Sequence, residues 1–402
     1  MLELLSAWLA GLAAGATGLA PFAHTNLALE LFKGSTGQAG AVFSAALAFS
    51  HAAFEALPAV FFGIPALDYA AGVLPAHALA LQGKGREALE LTLNTLLASG
   101  LASLLLLPLA LTLVPALYEV VKPITPFLLL AIMLALAATE RSWLLKAAAL
   151  LVFALSGALG VLALSSPFVP GEPLFALLTG LFGFPALLAA RGTISVECRK
   201  EKPENTKPAW RWVVAGSIAG ALSGVVPAVS GAMLSAVLFI ALEEDRRSFL
   251  TVSAALVGSR LFYDAVATQT IGKARSGAAA AVLESLGFAD AAGLALSLAG
   301  GLLALLLACE ATRKLAPLLA AWMAKPQVRP NATLLVFLLA LGAVYFQSGW
   351  PGMLVAATGA AVGALPLFLG VKRSHAMGCL LLPSILHGLL GPWELEALVL
   401  CC

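Results

Sequence analysis

Apolar runs of about 17–25 residues, the length a helix needs to cross a hydrocarbon core of ~30 Å, recur along the whole chain. Short polar stretches and Gly/Pro interruptions part them. The pattern predicts an all-α polytopic membrane protein with about 10–12 hydrophobic segments. Spans fall at about 147–164, 174–190, 331–346 and 351–370. One long polar stretch, RGTISVECRKEKPENTKPAWR at 191–211, divides the chain nearly in two. Its basic residues, from Arg191 to Lys207, mark it as cytoplasmic by the positive-inside rule, and basic loops at Lys84–Arg86, Arg141–Lys146, Arg246–Arg247, Arg313–Arg329 and Lys372–Arg373 belong on the same side. The linkers at 165–173 and 347–352 lack basic residues and face outward.

The same polar pattern is written twice. SAALAFSHAAFEALPAVFFGIP at 44–65 matches SAALVGSRLFYDAVATQTIGKA at 253–274: Ser50 with Ser259, His51 with Arg260, Glu55 with Asp264, Gly63 with Gly272. GATGLAP at 15–21 matches GALSGVVP at 220–227 through Gly18/Pro21 and Gly224/Pro227, and a weaker echo pairs Pro185 and Arg191 with Pro366 and Lys372. Separate matches at nearly one offset predict an internal duplication. The expected division is a first transmembrane repeat at 1–190, a cytoplasmic linker at 191–210 and a second repeat at 211–402. Each repeat carries a Gly/Pro-broken helix that can be re-entrant.

Composition supports the membrane reading. Charged residues are 11% of the 402, against ~25% in soluble domains, and hydrophobic residues are 61%. A net charge of +2 implies no nucleic-acid partner. The five cysteines form no CxxC pair and no disulfide framework. An acid, Glu3, stands where a signal peptide would be basic, so MLELLSAWLAGL reads as the first membrane segment.

The helix breaks carry the candidate chemistry. Gly18, Pro21, His24 and Asn26 lie in an otherwise apolar segment, and Gly224, Pro227, Ser230 and Gly231 repeat the break. Backbone amides cannot go unpaired in lipid, so such a break lines protein or a wet cavity. A half-helix beginning there points free N–H groups at it, which suits an anion. Paired interrupted segments are the best sequence pointer to a transporter's substrate site; ordinary proline kinks are the plainer reading. His51 and Glu55 stand four apart on one helix face, as do Arg260 and Asp264. Ionisable residues inside membrane segments mark function by default, although a self-neutralising pair would also satisfy the pattern. Three roles stay open: anion binding through Arg260 and His51, sodium coordination through Ser50, Ser259 and the carboxylates, or proton relay through Glu55 and Asp264. Lys273 and Arg275, in IGKARSG, mark a cytoplasmic edge or a gate, and Asp68 and His77 can face a cavity. No metal motif and no bound cofactor is expected beyond Na⁺ or H⁺ as coupling ion: HAAFE lacks the second histidine of HExxH, and GxSxG and Walker A are absent. An intramembrane enzyme built on His24, His51 and Glu55 is the weakest alternative.

GLAAGATGLAPFAHTN (11–26), ALAFSHAAFEALPAVFFGIP (46–65), VLPAHALALQGKGREAL (73–89), TIGKARSGAA (270–279) and GALPLFLGVKRSHAMGCLLLP (363–383) resemble the TctA family, the large permease subunit of tripartite tricarboxylate transporters, in its shorter archaeal-type branch. The resemblance implies a multi-pass permease of the cell (cytoplasmic) membrane for an organic anion such as a di- or tricarboxylate, driven by a cation gradient. It also implies two partners, a small membrane subunit and an extracytoplasmic binding protein. It carries Gly18, Pro21, Asn26, Gly224, Pro227 and Gly231 over as site backbone. Bacterial members are longer and more glycine-rich after the first break, where this chain has Pro-Phe-Ala-His-Thr-Asn. Pro227-Ala-Val-Ser230-Gly231 also resembles the PGVSGG of polyprenyl-phosphate flippases, which makes a lipid-carrier flippase the alternative.

Overall fold

A computed structural model describes residues 1–20, 25, 28–29, 36–62, 73–170, 173–185, 206–225, 234, 246–272, 274, 276–288, 290–323 and 328–390. Among these residues every regular element is helical. Eight helices are long and apolar enough to cross a membrane, and Pro173–Gly183 and Gly277–Leu286 are shorter apolar helices. The protein is an all-α, multi-pass membrane protein.

In chain order the α-helices are α1 (Leu2–Ala14), α2 (Gly37–Phe62), α3 (Val73–Leu79), α4 (Gly85–Leu105), α5 (Leu107–Val121), α6 (Thr125–Ala138), α7 (Trp143–Ser165), α8 (Pro173–Leu178), α9 (Trp210–Val225), α10 (Arg246–Ile271), α11 (Gly277–Leu286), α12 (Ala291–Met323), α13 (Val328–Leu369) and α14 (Gly378–Leu390). Serines start two of them: the Ser142 and Ser276 side chains accept from the N–H groups of Leu145 and Ala279. The Ser-Gly of IGKARSG is thus the N-cap of α11. The outward linker expected at 347–352 is a sharp bend inside α13 at Gly349, whose φ of 59° favours glycine.

The helices form two compact units, each drawn from both sides of the polar stretch: α1–α5 with α9–α12, and α6–α8 with α13 (from Pro330) and α14.

In the first unit one close crossing occurs twice. α1 and its 3-10 extension, Gly15–Leu19, lie across α2, and α9 lies across α10. A Cβ on Gly15 would meet the Ser50 hydroxyl and come within 2.8 Å of the His51 nitrogen; one on Gly220 would meet the Ser259 hydroxyl and come within 3.0 Å of the Arg260 nitrogen. Gly11 abuts the Phe43 carbonyl as Gly216 abuts that of Val252. Gly18 comes against the His51 carbonyl and Gly224 against that of Tyr263. Without an aqueous driving force, small residues let two backbones touch, and dispersion across that contact holds helices together in lipid.

The later long helices are exchanged between the halves: α12 packs on α2, and α4 packs on α10. At the centre Phe49 and Phe262 meet edge to face, centroids 4.8 Å apart at 82°, both buried. Such a pair is worth about 1 kcal/mol beyond its area. Gly301 of α12 makes room for Phe49, and Gly100 of α4 for Phe262.

In the second unit α7 and α14 cross through Gly157 against Leu382, Gly160 against the Cys379 carbonyl and Gly378 against the Phe153 carbonyl. The 3-residue-spaced Gly180 and Gly183 follow α8 in a π-helical turn, and Gly359 of α13 lies against the Gly180 Cα, 3.2 Å from its own Cβ position.

One basic loop differs from expectation. Arg313 lies inside α12, a membrane-length helix, because a carboxylate on α4 and its own neighbour Glu310 neutralise it there.

Gly15→Ala and Gly220→Ala should each destabilise the protein by about 1–3 kcal/mol, because the added carbon strikes the buried Ser50 or Ser259 hydroxyl and crowds the backbone behind it. Gly342→Ala, with open space around its Cβ position, should be neutral. Thermal unfolding in detergent compares the three.

Candidate functional site

The first helix break is visible in the backbone. α1 ends at Ala14, the chain tightens into the 3-10 turn Gly15–Leu19, and Ala20 is extended (φ −91°, ψ 114°). In the second half α9 runs to Val225. Pro21, His24, Asn26, Asp68, Pro227, Ser230, Gly231, Lys273 and Arg275 lie outside the described residues.

Gly18, Ser50, His51 and Glu55 lie at the α1/α2 crossing, and Gly224, Ser259, Arg260 and Asp264 at the α9/α10 crossing. His51 is 2% exposed, with Nδ1 3.3 Å from the Thr17 hydroxyl. Glu55 is half-buried, and its backbone nitrogen is 3.0 Å from a Cβ placed on Gly18. Arg260 Nε donates to Asp264 Oδ2 at 3.1 Å, four residues along one face, and Asp264 is 3% exposed. Ser50 and Ser259 are fully buried and give their hydroxyl hydrogens to the carbonyls of Ala46 (2.6 Å) and Ala255 (2.8 Å). That leaves lone pairs, not hydrogens, for any cation. His51 and Asp264 each stand two residues, about 3 Å of helix rise, from a ring of the Phe49–Phe262 pair. His77 is half-buried and its Nδ1 donates to the Val60 carbonyl at 3.1 Å, fixing that ring to α2.

Two hydroxyls escaped the sequence reading. Thr17 and Ser223 precede Gly18 and Gly224, and each gives its hydrogen to the carbonyl three residues back, at 2.8 and 2.7 Å. The offset that pairs the two glycines also pairs these hydroxyls, so the signal was present.

A charged cluster on α4 also went unforeseen. Arg313 Nε donates to Glu90 Oε2 and Nη2 to Asn94 Oδ1, both at 2.8 Å, while Nη1 meets Glu310. Asn94 Nδ2 donates to the Thr206 carbonyl at 2.9 Å, and Glu87 pairs with Arg247 of α10. Helix α4 thereby binds α10, α12 and the end of the polar linker. Its partners are more than a hundred residues away in sequence, so no local pattern announces them.

The second unit holds a buried cluster between its membrane helices. Glu140 Oε1 accepts from His375 Nε2 at 2.8 Å and from the Lys372 backbone N–H at 3.1 Å, and Lys372 Nζ donates to the Thr139 hydroxyl at 3.1 Å. Burial alone would push the Glu140 carboxyl up. The hydrogen bonds from His375 and Lys372, with their charges, outweigh it and hold the group below its ordinary range. Burial pushes the His375 imidazole down, more than its Glu140 partner raises it, so the neutral ring donates to a carboxylate. Among the described residues no group of three His, Cys, Asp or Glu side chains could hold a metal ion.

Compared with known families, residues 1–378 match the one described as the Tripartite tricarboxylate transporter TctA family. This chain belongs to the TctA family. An uncharacterised protein of Methanocaldococcus jannaschii is 30% identical to this TctA chain over 247 residues, 60% of the chain and 61% of the relative. The chain thus spans about three fifths of the length of the curated relative it matches. No solved structure matches it.

Two tests follow for this TctA chain. Both groups of the Glu140–His375 pair titrate lower folded than unfolded, so the unfolded chain takes up protons first as pH falls. Stability should therefore decline as pH drops below about 6.5, His375's ordinary value, and further below about 4.5, that of Glu140. His375→Gln, which keeps a donor, should flatten the upper part of that decline in unfolding midpoints recorded from pH 7.5 downwards. Separately, Glu90→Gln and Arg313→Met should each cost about 1–3 kcal/mol and couple in a double-mutant cycle.

Proposed function

We propose that this chain is the permease of an organic-anion transport system in the cell membrane. It is a secondary active transporter for a di- or tricarboxylate, coupled to sodium or protons, and it works by alternating access between two duplicated repeats, 1–190 and 211–402. Family membership supports the substrate class. The observation that carries the mechanism is the doubled crossing: in each half a glycine-faced helix lies on a partner bearing a base and an acid four residues apart. Ionisable side chains are expensive in such a setting, and a transporter is what uses them in pairs at a midplane site.

Arg260 is the charged contact for a carboxylate, with Asp264 holding its guanidinium in place. Glu55 and Asp264 carry the coupling cation, helped by the oxygens of Ser50 and Ser259. His51 is the second polar contact to the substrate, and the backbone at Gly18, Pro21, His24, Asn26 and at Gly224, Pro227, Ser230, Gly231 frames the site. Lys273 and Arg275 form the gate. Because family members act in tripartite systems, a small membrane subunit and an extracytoplasmic binding protein are the expected partners.

Purified protein in proteoliposomes should take up radiolabelled di- or tricarboxylate when a sodium or proton gradient is imposed. Glu55→Gln should cut gradient-driven uptake about tenfold or more, a loss of ~1.4 kcal/mol or greater, while leaving downhill exchange, whereas Asp264→Asn, which also frees the Arg260 guanidinium, should reduce both. Gradient-independent uptake in the wild type, or movement of a polyprenyl phosphate in place of carboxylates, would overturn the proposal.

A further inference from the structure

We propose that Thr17 is the positioning residue for His51, holding its imidazole in the tautomer with hydrogen on Nδ1. The functional meaning of this rests on His51 belonging to the site proposed above; the tautomer itself does not. A threonine hydroxyl has one hydrogen, and Thr17 gives it to the Ala14 carbonyl at 2.8 Å. His51 Nδ1, 3.3 Å from the same oxygen, therefore meets a lone pair. A neutral ring answers that lone pair only by donating from Nδ1. The other tautomer would either set two lone pairs against each other or make Thr17 exchange its 2.8 Å bond to Ala14 for the longer 3.3 Å one, around a residue only 2% exposed.

The backbone makes the contact rigid. Thr17 sits in the 3-10 turn that follows α1, between the two glycines that grip His51. The Cβ position of Gly15 is 2.8 Å from the His51 nitrogen and that of Gly18 is 2.5 Å from its carbonyl oxygen, so the main chain is held on both sides. The second half has the same hydroxyl in Ser223, bonded to the Gly220 carbonyl. There the residue matching His51 is Arg260, a permanent donor with no tautomer to choose. The device therefore operates in the first half alone.

With hydrogen on Nδ1, Nε2 of the neutral ring is an acceptor. In the proposed site the substrate's negative charge then falls to Arg260, and His51 answers a hydrogen-bond donor on the substrate. A carboxylate bearing a hydroxyl group meets both demands.

The test is ¹⁵N NMR of the full chain in detergent, labelled at its five histidines, at a pH where the ring is neutral. Loss of one resonance in His51→Gln assigns it. Wild type and Thr17→Ser should show hydrogen on Nδ1, and Thr17→Val should lose that signature. Hydrogen on Nε2 in the wild type, or an unchanged tautomer in Thr17→Val, would overturn the inference. In proteoliposomes Thr17→Val should reduce the preference for malate over succinate several-fold, and Thr17→Ser should restore it. A tautomer shift in protein that moves neither acid would sink the transport reading while leaving Thr17's role standing.

Discussion

Backbone touching backbone governs the first unit. Where Gly11 and Gly18 meet α2, and where Gly216 and Gly224 meet α10, the glycines abut main-chain carbonyls, and at Gly15 and Gly220 only a serine hydroxyl lies between the helices. In lipid the gain comes from dispersion and close fit, since apolar side chains lose little by facing acyl chains. The same contact fixes everything chemical nearby. Ser50 and Ser259 are pinned beneath glycines, and the residues that follow them, His51 and Arg260, are held at the main chain. A base carried on such a crossing has little freedom to wander, which is what a selective contact requires.

Many hydroxyls in this setting are answered locally. Thr92, Thr95 and Ser99 of α4 return their hydroxyls to carbonyls three or four residues back, as Ser50, Ser259 and Thr268 do. These bonds stabilise the groups without committing them to one neighbour. The charged groups behave differently. Arg313 reaches across to Glu90 and Asn94, and Glu140 accepts from His375, so these few residues decide which helices stand together.

Much of this was legible in the sequence. The apolar run lengths announce the membrane helices, and the matched Ser-base-acid pattern announces the paired crossing, because both are local or periodic signals. The 3-10 turn after Ala14 was foreshadowed by Gly15-Ala-Thr-Gly18, although a threonine between glycines reads as filler until its partner His51 is seen above it. The bonds of Arg313 were illegible for a physical reason. A basic residue ending an apolar run looks the same in sequence whether it enters water or meets an acid from a helix placed long before it. The bend at Gly349 was read as a loop because a Gly-Trp-Pro-Gly run suits either.

The exchange of long helices has a consequence for biosynthesis. Because α4 completes its packing on α10, and α12 on α2, neither half of the chain can close its own share of the unit. Helices inserted early wait in the bilayer with glycine-lined and hydroxyl-bearing faces unmatched until the ribosome has delivered those from beyond the polar stretch.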